Sequence, residues 1–136
     1  MSSTLVILKP DAVKRGLVGE IIERFEKKGF IISQMRMELI TKEKLVEHYS
    51  HLASKPFFGE IEEYMLSGPS IFMILSGKEA VRTVRSMMGS TNALEASPGT
   101  IRGDYGSNPF QNLIHGSDSD ENFVAEAKRF FPDYMP

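Results

Sequence analysis

The 136-residue chain has no cysteine. That excludes a disulfide framework, thiolate chemistry and a zinc site built on cysteine. It fits a reducing, cytoplasmic setting. No run approaches the roughly eighteen consecutive apolar residues of a membrane span, so no membrane partner is expected. The opening Met1-Ser2-Ser3-Thr4 leads straight into a strand-like run, without the basic and apolar regions of a signal peptide. A positive surplus is missing too. The formal net charge of −2 argues against broad binding along a nucleic-acid backbone and leaves room only for a local basic site. Neither familiar phosphate loop occurs: Gly77-Lys78 is followed by Glu79, which breaks G-x-x-x-x-G-K-[ST], and G-x-G-x-x-G is absent. Internal repeats, low-complexity tracts and linkers are also lacking.

What is present is ordinary globular material, 41% apolar and 25% charged. The length suits one domain, 1–136, with one core. Thr4 to Lys9 reads as a central strand that delivers Lys9 at its end, closed by Pro10-Asp11. Leu17, Ile21, Ile22 and Phe25 draw one stripe on a helix running to Lys28, with Gly29 as its C-cap. From Phe30 to Ile40 the pattern alternates. Ser33, Met35, Met37 and Leu39 fall on one face, and Gln34, Arg36 and Glu38 on the other, so a strand with one covered face is expected.

Thr41 is placed to cap a helix from Lys42 to about Leu52, interrupted by Lys55-Pro56. A short helix follows from Phe57 to Leu66, then a buried strand from Ser70 to Ser76. Gly77 turns the chain into a helix from Lys78 to Met88 that Gly89 closes. A polar loop from Ser90 to Tyr105 ends in about one helical turn. Phe110 to Ile114 reads as the last strand and Ser119 to Phe131 as the last helix, and Ser117 to Asp120 has the capping-box spacing. The order β-α-β-α-α-β-α-loop-β-α predicts an α/β (α+β) ferredoxin-like sandwich: a four-stranded antiparallel sheet with helices packed on one face. The other face, or the second strand with Met35 and Met37, is expected to meet a partner.

Several polar residues end these elements near one histidine. His115 sits in Asn112-Leu113-Ile114-His115-Gly116-Ser117-Asp118-Ser119, a short apolar run that enters a tight polar turn. Lys9, Arg85, Thr91, Arg102 and Asn112 come from separate elements and would together make an anion pocket, arginine by its planar fork and lysine as a point charge. Each taken singly is an ordinary surface or strand-end residue. His48 and His51, three apart on a helix, make a poor metal pair and read as surface residues. Lys28-Gly29-Phe30 starts an RNA-recognition signature that Ile31-Ile32-Ser33 does not continue.

The stretch around His115 resembles the active-site signature of nucleoside diphosphate kinases. The likeness extends along the chain through Lys9-Pro10-Asp11, Arg15-Gly16-Leu17-Val18-Gly19-Glu20, Lys55-Pro56-Phe57-Phe58, Ser67-Gly68-Pro69, Thr91-Asn92 and Pro98-Gly99-Thr100-Ile101-Arg102-Gly103-Asp104. The resemblance implies a ping-pong transfer in which His115 takes the γ-phosphate of a nucleoside triphosphate, mainly ATP, and passes it to a nucleoside diphosphate. It assigns Glu126 to orient the ring, Ser117 to support Glu126, and Lys9 and Tyr49 to flank the moving phosphate. Arg85, Thr91 and Arg102 would grip the other phosphates, Asn112 with Lys9 the ribose, and Phe57 the base. Mg2+ would ride on the nucleotide phosphates, with Asp118 near it through water. A homo-oligomer is implied, hexamer first and tetramer second.

Three places depart from the family pattern. Lys55 replaces a common arginine, Ala93 replaces a proline of a subunit-contact loop, and Asn108-Pro109-Phe110-Gln111 changes the run beside the base site. The chain also stops at Pro136, where many members continue into a tail that braces the oligomer. Two other functions stay open at this point. One is a ferredoxin-like regulatory or nucleic-acid-binding module without turnover; the other is a phosphohistidine relay to other proteins.

Overall fold

The computed structural model describes residues 1–135, so Pro136 lies outside it. The first strand, β1 (Ser2–Leu8), and the third, β3 (Ser70–Gly77), pair antiparallel and form the middle of the sheet. β2 (Ile31–Glu38) pairs with β3 on one side and β4 (Ile114–Gly116) with β1 on the other, giving the order β2-β3-β1-β4. All pairings are antiparallel.

The continuous apolar runs of β1 and β3 reflect burial on both faces. Val6, Leu8, Met73 and Leu75 point to one side, where α2 (Val18–Lys28) contributes Ile21 and Phe25 and α5 (Ala80–Met88) contributes Val84 and Met88. Leu5, Ile7, Phe72 and Ile74 point to the other. There α3 (Lys42–His48) supplies Leu45, α4 (Phe58–Met65) supplies Met65, and α7 (Asp120–Phe130) supplies Phe123 and Phe130. The expectation of helices on one face only is therefore corrected. Each fully buried Phe or Leu in these layers contributes roughly 1.5–3 kcal/mol of hydrophobic stabilisation.

The uncovered apolar surface lies at the sheet edge instead. Met35 and Met37 of β2 are each 56% exposed, so the covered face expected for this strand is bare in the single chain. A register shift between Ile32 and Gln34 brings Met35 opposite Met73. Along the strand Ile32 packs against the α2-side core, and Arg36 lies over the Phe131 ring at the end of α7.

Helix ends follow local rules where the cap is strong. Gly29 adopts φ 106° after α2, a conformation glycine takes without a Cβ clash, and Thr41 accepts a hydrogen bond from the Lys44 N–H at the start of α3. α3 ends at His48 and not near Leu52. Two short helices complete the chain: α1 (Pro10–Lys14), not expected, and α6 (Ile101–Tyr105), the expected single turn.

Candidate active site

β4 is three residues long, and His115 is its central residue, opposite Ile7. The expected strand from Phe110 to Ile114 is displaced toward the C-terminus, and Phe110 is 81% exposed. The cause is a turn at Leu113, which has φ 72° while the Ile114 N–H donates to Asn112 O at 2.8 Å. A β-region run cannot pass through that three-residue turn. A non-glycine residue there costs on the order of 1–3 kcal/mol. The buried Leu113 side chain and the bond from the Lys9 N–H to Leu113 O, 2.8 Å, hold it in place. The turn aims Asn112 at one side of the sheet end and hands His115 to β1.

Glu126, on α7, is buried and faces this histidine. Its Oε2 lies 2.8 Å from His115 Nε2, and its Oε1 accepts the Ser117 hydroxyl at 2.5 Å. Ser117 Oγ in turn accepts the Leu5 N–H at 3.1 Å. A carboxylate only accepts, so Nε2 carries the proton of the neutral ring and Nδ1 keeps the lone pair. Among the described residues, Nδ1 makes no hydrogen bond. Ser117 is thus engaged with Glu126 and does not cap α7. The cap is Ser119, whose side chain accepts the Asn122 N–H. The capping-box reading was two residues early.

Cations and polar groups line the cavity of about 430 Å3 that His115 enters: Lys9, Tyr49, Arg85, Thr91, Arg102, Asn112 and Asp118. Lys9, just past β1, donates through Nζ to Asn112 Oδ1 at 2.8 Å. Burial, and then the Arg102 charge, pull its pKa down to about 8. Arg102 is buried and donates to three backbone carbonyls, those of Asn112 (3.2 Å), Gly89 (3.1 Å) and Ile114 (2.6 Å). Its pKa falls to about 10 by burial first and Arg85 second, so it remains a cation at neutral pH. Arg85 reaches Gly116 O from α5 at 3.3 Å. Asn112 Nδ2 donates to Thr91 O at 2.9 Å, which fastens the long loop to the site. Burial, with Glu126 nearby, pushes the Tyr49 phenol up to about 12, so it stays a neutral donor.

Phe57, 46% exposed, does not line this cavity but an adjoining, mainly apolar one of about 630 Å3. The two share Lys9, Tyr49, Thr91 and Asn112. The second also holds Pro109 and Phe110 from the segment that departs from the family pattern. Phe58 is half-buried against the core, as expected.

One residue of the site was misread. His48 is not a surface residue: its side chain is 3% exposed, and its ring packs edge to face on His115 with centroids 4.7 Å apart. His51 is exposed. The helical spacing of His48 with the buried Leu45 was the available signal, because residues three apart share a face. His48, His115 and Glu126 offer ligand atoms within 4.8 Å of one another. Those atoms are already engaged within the protein, since Arg129 Nη1 sits 2.8 Å from His48 Nδ1 and Glu126 Oε2 takes the His115 Nε2–H. Asp118 is the exposed carboxylate at the cavity lip, and its pKa is lowered by the Asn122 amide that donates to it.

A ferredoxin-like sheet that presents a histidine with one lone pair free, in a pocket ringed by lysine and arginine, defines a phosphate-handling centre. Comparison with known proteins narrows the class. The profile of the family described as nucleoside diphosphate kinase matches residues 2–135. A nucleoside diphosphate kinase of Acetivibrio thermocellus is 56% identical over 133 residues, covering 98% of each chain. One from Staphylothermus marinus is 52% identical over 130 residues, covering 96% of this chain and 92% of that one. Among solved structures, the Encephalitozoon cuniculi nucleoside diphosphate kinase superposes with a TM-score of 0.95 at 46% identity, covering 100% of this chain and 93% of that one. The Halobacterium salinarum enzyme in complex with CDP gives 0.93 at 43% identity, covering 97% and 88%. The chain belongs to the nucleoside diphosphate kinase family.

Proposed function

We propose that this chain is a working nucleoside diphosphate kinase in which His115 carries the phosphate. The observation that supports this most is the Glu126 carboxylate, which takes the His115 Nε2–H at 2.8 Å and leaves Nδ1 as the nucleophile. In the first half-reaction the Nδ1 lone pair attacks the γ-phosphorus of ATP. A P–N bond forms, the bond from phosphorus to the β,γ-bridging oxygen breaks, and the nucleoside diphosphate leaves with that electron pair. In the second, a terminal oxygen of another diphosphate attacks the phosphohistidine and the P–N bond breaks. The ring gains positive charge while phosphorylated, and the adjacent Glu126 offsets it. Lys9, Tyr49, Arg85, Thr91 and Arg102 act on the phosphates, Asn112 with Lys9 on the ribose, and Phe57 on the base. Stacking without base-edge bonds accepts any base. Phosphoryl transfer draws mainly on such positioning and charge stabilisation.

The donor set fits Mg2+ carried on the nucleotide. Both Glu126 oxygens are engaged, and Asp118 at the lip is the carboxylate placed to hold a hydrated ion. When bound, Mg2+ supplies neutralisation of phosphate charge.

The whole span 1–136 is read as one kinase domain in the cytoplasm; no described helix is long and apolar enough to cross a membrane. The exposed Met35 and Met37 on β2, with Leu39 just past its end, support self-association, as a hexamer first and a tetramer second. A light-scattering mass of one chain contradicts the oligomer. The kinase reading is tested by initial rates with ATP and a varied diphosphate. Parallel double-reciprocal lines are expected, and intersecting lines would reject the covalent route.

A further inference from the structure

His48 sits at the end of α3 in a cage of rings. Tyr49, His115 and Phe130 lie with centroids 4.9, 4.7 and 5.4 Å from its own. Its polar partner comes from α7, where Arg129 Nη1 lies 2.8 Å from His48 Nδ1. A guanidinium has no lone pair to offer, so the donor is Arg129, Nδ1 accepts, and the one proton of the neutral His48 ring is on Nε2. Glu47, 3.4 Å from Arg129 Nε, steadies the guanidinium from the α3 side. The choice of tautomer matters because of what stands nearby. A proton on His48 Nδ1 would be directed past an oxygen 3.8 Å away, Glu126 Oε2, the same atom that takes the His115 Nε2–H.

We propose that Arg129 is a positioning residue for phosphate transfer. By holding His48 in its Nε2–H tautomer it reserves Glu126 Oε2 for His115 and keeps an uncharged ring beside the nucleophile. The inference rests on His115 being the nucleophile. A second proton competing for Oε2 would weaken the bond that orients the His115 ring. A cationic His48 would also oppose the positive charge that His115 gains as the P–N bond forms. The groups facing His48 are Tyr49 beside it, His115 on β4, Glu126 and Arg129 on α7, Lys9 after β1, and His51 beyond α3. Burial first, then the charges of His115, Arg129, Lys9 and His51, hold the His48 pKa down to about 2. Removing Arg129 takes away one of these charges and the donor that occupies Nδ1.

The test uses the full chain with Arg129→Met, which keeps the stem and removes the donors, and Arg129→Lys, which restores one donor. The imidazole nitrogens of His48 are read by NMR in the free protein, and phosphohistidine formation from ATP is timed in a single turnover from pH 5 to 8. In Arg129→Met the Nδ1–H form of His48 is expected to appear. Transfer should slow about tenfold with the ATP dependence within about twofold, the pattern of a misoriented nucleophile. The fall in rate on the acid side should begin at higher pH than in wild type, and Arg129→Lys should recover most of the rate. A His48 that keeps the Nε2–H form and the wild-type pH profile in Arg129→Met overturns the proposal, as does a pH-independent loss that Arg129→Lys fails to rescue. The nitrogen spectrum needs no turnover. Wild type that takes up no phosphate therefore counts against His115 as the nucleophile, separately from the tautomer result.

Discussion

Glu126 holds His115 by Nε2 at 2.8 Å and is itself held by Ser117 at 2.5 Å, so the ring is anchored from the side away from its free nitrogen. An anchored ring and a reacting ring make different demands on a mutation. Glu126→Gln can still accept from Nε2–H through its amide oxygen but offers no negative charge to the phosphorylated ring. Glu126→Ala offers neither. The expected order of single-turnover rates is wild type, then Glu126→Gln, then Glu126→Ala, with the last down on the order of a hundredfold. Equal rates for wild type and Glu126→Ala would refute the orienting role.

Arg102, proposed above to bind phosphate, is also a structural clamp, because its guanidinium donates to the carbonyls of Gly89, Asn112 and Ile114. Arg102→Ala removes the donor to the Gly89 and Ile114 carbonyls, while Asn112 O keeps the Ile114 N–H. It should lower unfolding stability by roughly 2–3 kcal/mol in a denaturant titration, as well as weakening nucleotide binding. Arg85, exposed and with one backbone contact at 3.3 Å, should affect binding with stability within about 0.5 kcal/mol of wild type.

Lys9 gives the pH dependence a definite sign. Its pKa in the folded chain, about 8, is below the ordinary 10.5, so it carries charge at neutral pH and loses it as pH rises through 8. Turnover at low substrate should decline above that point, and Lys9→Arg, permanently charged, should flatten the decline even if its rate is lower throughout. Stability moves the other way. Between about pH 8 and 10.5 the unfolded chain binds the extra proton, so the lysine's burial cost is relieved as pH rises through this window. A kcat/KM profile flat from pH 7 to 10 would contradict the assignment.

On the proposed reading, Phe57 serves base binding and not the chemistry. Nearly half exposed, it should contribute little to stability, whereas a stacked base is worth about 1–3 kcal/mol. Phe57→Ala should raise KM roughly tenfold or more for a diphosphate acceptor while saturated turnover changes far less. An unchanged KM would move the base away from the cavity that Phe57 shares with Phe110.

Elements with strong local signals were legible in the sequence. The run Ser70 to Ser76, the stripe ending at Gly29, and Thr41 before its helix all lie within a residue or two of where they were expected, because propensity, pattern and cap agree there. Most of the misses have tertiary causes. The turn at Leu113 hides inside an apolar run that reads as strand. Two serines in the 117–120 stretch each fit a cap, and only the neighbouring Leu5 and Glu126 decide that Ser117 serves them instead. The second covered face of the sheet was signalled by the unbroken apolar runs of β1 and β3, where a strand covered on one side would alternate; the one-sided expectation came from the element order alone. His48 looked like a surface histidine until α7 was packed on α3. The site residues themselves were found through their resemblance to a family, since a lysine, an arginine or a histidine at an element's end has no signature of its own.

The central claim is that phosphate rests on His115 between donor and acceptor. The most direct measurement incubates the protein with Mg2+ and ATP labelled in its γ-phosphate, without acceptor, and follows label on the chain. The account predicts one acid-labile, alkali-stable phosphate per chain, chased off by any added nucleoside diphosphate and absent from His115→Ala, which still folds and binds ATP. Wild type that binds ATP and takes up no label, or label that survives in His115→Ala, would contradict it.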